Sequence, residues 1–193
     1  MNRAERQTRT TYTKWQTREE NGEKRIEGYF ATFDGYYECG PGMREKIDPH
    51  AFDGEINEDV RCLIDHVSHL VLGRTTAGTL ALRIDAHGLW GSVLINEADQ
   101  DAMNLYARVE RGDVNQCSFG FDIVSESHEI GPDGTVTWTV EKVKLYEVSC
   151  CTFPAYKDTG ISARAEQAED LRRRAAEAWK TRQLERLHHK KGA

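Results

Sequence analysis

Ser118 lies in a stretch, Val114 to Val124, whose side chains alternate in the period of a β-strand. One face carries Cys117, Phe119, Phe121 and Ile123; the other carries Gln116, Ser118, Gly120 and Asp122. A serine on the polar face of a strong strand, with a glycine two residues on, can serve as a nucleophile if a base takes its proton and a third group orients that base. Histidine suits the base role, since imidazole has a reference pKa of about 6.5. Of the seven histidines, His66 follows the apolar run Val60–Ile64, a rigid place to hang a base. His87 and His128 fall in or near hairpin turns, and His188 and His189 in the C-terminal tail. Glu147 interrupts an otherwise carboxylate-free strand, Leu145 to Phe153. A charge there costs several kcal/mol unless it is paired. It could equally sit on a solvent face, which it shares with Leu145 and Ser149.

Other constellations compete. Asp65 adjoins His66, but neighbours in an extended chain point apart; Asp122 is four strand residues from Ser118, roughly 13 Å along the strand. Cys62, His66 and His69 have spacings compatible with zinc, but a closed site lacks a fourth ligand. Cys117 as nucleophile is disfavoured because alternation turns it toward the core. The odd count of five cysteines, with no CxxC pair, favours reduced thiols over disulfides.

The elements that position these residues read as a mainly β chain of α+β class. Residues 1–24 are polar and weakly periodic, a loose arm in which Tyr12 and Trp15 are the docking candidates. Ile26–Phe33 is a first strand, followed by a turn-rich connection through Gly35, Gly40, Pro41 and Gly42. Asp48-Pro49 suggests the start of a short helix over 45–52. Strands follow at 60–64, 71–75, 80–84 and 89–95. Ala98, Ala102, Leu105, Tyr106 and Val109 fall at helical spacing, with Asn96 or Asp99 as cap and Gly112 past the end. The hairpin turn Gly131-Pro132-Asp133-Gly134 separates strands 124–130 and 135–143, and a last strand runs from Lys144 to Phe153. Residues 163–193 form a basic helical tail: from Ser162 on there are nine Lys/Arg against five Asp/Glu. The net charge of −6 argues against a nucleic-acid binder, and no apolar run approaches the roughly 20 residues of a membrane span. The N-terminus has no apolar stretch of a signal peptide, so cytoplasmic synthesis is expected.

Six blocks in order carry a family resemblance: Glu27–Phe33, Ile47–Asp53, Leu63–His66, Val71–Thr75, Gly112–Phe121 and Glu147–Tyr156. Together they resemble the prohead (capsid-maturation) serine proteases of tailed phages, over about Glu27 to Arg164. The resemblance implies a compact assemblin-like β-barrel with flanking helices, here a protease domain over 25–162. It implies a serine endopeptidase that cuts scaffold or capsid-protein segments, and then itself, inside the immature head in the bacterial cytoplasm. By position, His66 becomes the general base, Ser118 the nucleophile and Glu147 the acidic member. Gly73 and Arg74 are candidates for part of the oxyanion hole, with a structural salt bridge the alternative for Arg74. No cofactor or metal is called for, and the expected partners are capsid or scaffold substrate and, by analogy with assemblins, a second copy of the chain. Where the family often has Met before the serine, this sequence has Cys117, also a soft core filler. The competing reading is a non-catalytic scaffold or assembly protein acting through the basic C-terminal helix.

Overall fold

The computed structural model describes residues 6–153 and 158–191. Their eleven strands and two α-helices make the fold mainly β. The strands are β1 Gln7–Tyr12, β2 Gln16–Glu20, β3 Glu23–Thr32, β4 Tyr37–Gly40, β5 Met43–Ile47, β6 Arg61–Ile64, β7 Val67–Arg74, β8 Leu80–Ile84, β9 Gly88–Leu94, β10 Gln116–Ile130 and β11 Val136–Cys151; the helices are α1 Gln100–Arg111 and α2 Asp158–Lys191.

Two sheets share one core. A four-stranded antiparallel sheet runs β2-β3-β9-β8. The seven-stranded sheet is built on the long β10–β11 hairpin. β1 pairs with the outer edge of β10, and β11 takes β5 along its first half and β6 along its second, both in parallel. The pairings among the described residues do not close into a barrel. The core packs Ile26, Phe30, Leu89 and Val93 of the smaller sheet against Phe119, Phe121, Leu145 and Val148 of the larger. Phe119 stacks on Phe121 at 4.8 Å and takes the edge of Phe52 at 5.4 Å.

Several expectations change. The loose arm does not hold for residues 7–20, which form β1 and β2. Trp15 anchors them, its indole N–H donating to the Gln116 carbonyl at 3.2 Å and its ring meeting Phe30 edge-on at 5.1 Å. A Cβ on Gly28 would come within 2.6 Å of the Trp15 ring, so this docking needs the glycine. No helix forms over 45–52. The Asp48 N–H bonds to the Val140 carbonyl and continues the β5 pairing, while the Asp48 carboxylate accepts from the His50 N–H and turns the chain. The separate strands expected on either side of residues 124 and 143 are two continuous strands, bent at β-bulges between Ile123 and Glu126. α2 is not wholly appended. Ala168 packs with Cys39, Met43, Val136 and Trp138, and Arg172 donates to the carbonyls of Gly42 and Gly134; residues 173–182 are exposed. α1 matches its expected ends: the Asp99 carboxylate accepts from the N–H groups of Asp101 and Ala102, and Gly112 closes it at φ 87°.

Candidate active site

His66 is carried by a tight turn of the larger sheet. Asp65-His66 is the two-residue loop between β6 and β7, with Ile64 paired to Val67. Both residues have positive φ, 48° and 62°, as a type I′ hairpin requires at its two central positions. Asp tolerates that conformation. A β-carbon-bearing His in the place glycine prefers costs on the order of 1 kcal/mol, a strain that persists where surrounding bonds over-determine it. Here they do: the Asp65 N–H donates to the Cys150 carbonyl at 3.0 Å, and the Thr152 N–H and hydroxyl donate to the Asp65 carboxylate at 2.7 and 3.1 Å. Asp65 therefore nails the turn to the end of β11, a role that adjacency in sequence did not suggest.

The imidazole Nδ1 bonds to Glu147 Oε1 at 2.6 Å. With that proton on Nδ1, Nε2 is the acceptor nitrogen; it lies 3.8 Å from the Cys151 thiol. Glu147 is 3% exposed, and its second oxygen accepts from the Ser149 hydroxyl at 2.6 Å. Ser149 Oγ is also 3.4 Å from His66 Nδ1. The buried carboxylate is thus held from two sides, as a charge away from water must be. Directly opposed residues of antiparallel strands share a face, and Glu147 opposes Gly120. The Glu147 side chain lies over that glycine: a Cβ at position 120 would come within 3.0 Å of Cδ and 3.1 Å of Cγ.

Ser118 opposes Ser149, so it shares the face of the His66–Glu147 pair, one strand away. It is fully buried rather than exposed on a polar face. Its hydroxyl donates to the Arg9 carbonyl of β1 at 2.9 Å, and not to His66. The three residues singled out in the sequence are gathered on one face, and two of them are bonded.

Gly73 and Arg74 are not part of this cluster. Gly73 pairs with Cys62, itself paired with Val148 of β11, which puts it three strands from β10. Arg74 donates to the Asp59 carboxylate at 2.5 and 2.6 Å, a surface salt bridge that holds Asp59 below the usual carboxylate range. The zinc set is not assembled either. Cys62 is buried against Cys150, His66 faces Glu147 and His69 is exposed; among the described residues no group of three His, Cys, Asp or Glu is arranged to hold a metal. Cys117 is on the core face with its thiol donating to the Tyr29 carbonyl at 2.9 Å, and burial pushes its pKa far up, so it holds no thiolate. Burial does the same to Cys151. The site residue that sequence reasoning passed over is Ser149. The signal was available, since period 2 places it on the face of Glu147.

Pro154 to Tyr156, the end of the last family block, lie outside the described residues. Among curated proteins, the chain is similar to the prohead protease of Enterobacteria phage HK97, 26% identical over 138 residues, which are 72% of this chain and 59% of that protein. The chain thus spans about three fifths of the length of that relative. No solved structure matches it significantly. The family model of the caudovirus prohead serine protease matches residues 12–174, a span that takes in both long strands, the His66 turn and the packed part of α2, and the chain belongs to that family.

Proposed function

We propose that this protein is a serine endopeptidase of phage head maturation, acting inside the immature prohead in the host cytoplasm on scaffold or capsid-protein segments and on itself. Ser118 is the nucleophile, His66 the general base and Glu147 the residue that orients it. The observation that carries the reading is the 2.6 Å bond from His66 Nδ1 to a buried carboxylate, which leaves Nε2 as acceptor on the face that holds Ser118.

The chemistry follows from those atoms. Ser118 Oγ attacks the scissile carbonyl carbon as His66 Nε2 takes its proton. Glu147 keeps the ring in one tautomer and stabilises the imidazolium that forms. Collapse of the tetrahedral intermediate breaks the C–N bond, and His66 returns the proton to the leaving amine. Water then hydrolyses the acyl-serine by the same route. For this to begin, the Ser118 hydroxyl must turn from the Arg9 carbonyl to His66. The assemblin-like barrel belongs to the same reading, whereas the pairings among the described residues leave two separate sheets round one core.

Replacing Ser118 by Ala, in the protein co-expressed with its neighbouring capsid and scaffold proteins, tests the reading. Loss of a triad nucleophile costs on the order of 10⁶-fold in turnover, so processing stops while the protein stays folded. Continued trimming of the capsid protein would remove Ser118 from the mechanism. A second reading, an assembly protein acting through its basic helix, draws on Trp179 and Leu184, which are 60% and 58% exposed on the outer half of α2. It predicts that Ser118→Ala changes neither trimming nor assembly.

A further inference from the structure

β1 does more than cover a sheet edge. It runs antiparallel to β10 with Thr10 opposite Ser118 and Arg9 opposite Phe119, and it is the Arg9 carbonyl that receives the Ser118 hydroxyl. The Arg9 side chain ends in a socket. Its guanidinium grips the fully buried Glu45 through Nε to Oε1 at 2.6 Å and Nη2 to Oε2 at 3.0 Å, with the Phe121 ring 5.5 Å away. Burial alone would push the Glu45 carboxyl up, but Arg9 and then Arg164 overcome it and hold it low. Arg164, from α2, reaches Glu45 at 2.5 Å and also serves Glu126 at 2.8 Å. With Arg9 withdrawn, the ion-pair partner left to Glu45 among the described residues is an arginine that it shares with another carboxylate. β1, apart from Tyr12, also lies ahead of the segment that matches the family model.

We propose that β1 stands where a substrate strand binds, and that Glu45 with Phe121 forms the subsite for a basic side chain on the residue just before the cut bond. This rests on the reading of Ser118 as nucleophile. An extended peptide added to a strand edge takes its affinity from main-chain bonds and its specificity from side-chain pockets. The residue whose carbonyl faces the serine is the one whose side chain the adjoining pocket selects, and here that residue is an arginine in a carboxylate socket. β1 itself is held in an unproductive pose, because the Ser118 hydroxyl donates its hydrogen bond to the Arg9 carbonyl oxygen and not to His66. When a substrate strand takes the place of β1, Ser118 Oγ bonds to the carbonyl carbon of its basic residue. The C–N bond to the next residue breaks, and the serine proton leaves on the amine through His66. Water then restores the hydroxyl. A neutral side chain in the socket leaves the buried carboxylate short of a partner, and an acidic one repels it. The selectivity for Arg or Lys over Leu is therefore about 10- to 100-fold, the worth of a hydrogen bond to a charged group.

The test is digestion of a mixed peptide library by the full-length protein, with cut sites read by mass spectrometry. Arg or Lys is expected before the cut at least tenfold over Leu or Glu, and Glu45→Gln is expected to lower that ratio at least tenfold. Arg9→Ala, which empties the socket, is expected to speed cutting severalfold; a cut between Arg9 and Thr10 in the protein itself is the same subsite used in cis and counts in favour. Cutting without a basic preference, or a preference that survives in Glu45→Gln, overturns the subsite alone. If Glu45→Gln does not fold, Arg9→Ala decides: a folded variant that cuts no faster overturns the proposal. Labelling of Ser118 by a fluorophosphonate with no cutting by either wild type or Arg9→Ala overturns it too, whereas no cutting and no labelling sinks the protease reading beneath it.

Discussion

Gly120→Ala isolates the contact on which the site depends. The backbone at Gly120 is outside the left-handed region, so alanine fits the strand without strain. The new methyl group does not fit the space. It would stand 3.0 Å from Glu147 Cδ, whereas carbon–carbon contacts relax to about 3.5–4.0 Å. The carboxylate must therefore retreat by about 0.5–1 Å. Its bond to His66, now 2.6 Å, stretches toward or beyond hydrogen-bonding range. A misplacement of about 1 Å in catalytic geometry costs up to about 10²-fold in rate, so the expected loss is about 10- to 100-fold. Overpacking of this kind costs about 1–3 kcal/mol of stability, and each kcal/mol lowers Tm by roughly 2–4 °C in a chain of this size. The fold thus survives a change that cripples the site. Time courses of capsid-protein processing, with the melting transition followed by calorimetry, measure both effects. Processing within about twofold of wild type in a folded Gly120→Ala protein would refute the claim that Glu147 positions the base.

Ser149→Ala removes the hydroxyl that holds the outer oxygen of Glu147, and is expected to lower kcat about tenfold with KM unchanged, since Ser149 acts through the carboxylate and not on substrate; a change in KM alone would contradict this. Glu45 is held below the usual carboxylate range by Arg9 and Arg164 against its burial. Its folded pKa thus lies under the unfolded value of about 4.3. Its contribution to stability is complete above that value and is lost as pH falls through the folded one. Denaturant midpoints measured from pH 6 to pH 3 should fall more steeply in wild type than in Glu45→Gln, and equal slopes would show that the pair adds nothing.

Local chemistry made much of this legible in the sequence. The Asp99 and Gly112 ends of α1, the turn at 131–134 and the inward face of Cys117, Phe119 and Phe121 all follow from short-range rules, and the structure has them. His66 and Glu147 could be picked out because each interrupts an apolar setting, although they lie 81 residues apart. What stayed hidden depends on partners distant in the chain. Gln7–Tyr12 has no apolar alternation and becomes a strand only because β10 offers it an edge. Arg9, Glu45 and Arg164 look like surface charges until folding buries them together. Arg74 resembled a site residue through its motif, but Asp59, 15 residues earlier, claims it. The continuity of β10 and β11 was concealed because bulges break the period of two without ending the strand.

The most direct measurement is the site of reaction with a fluorophosphonate, located by peptide mapping in the wild-type protein and in His66→Ala. Phosphonylation at Ser118 is expected in the wild type, and its loss when the imidazole is removed. A label on Ser149, or one on Ser118 that forms at the same rate without His66, would contradict it.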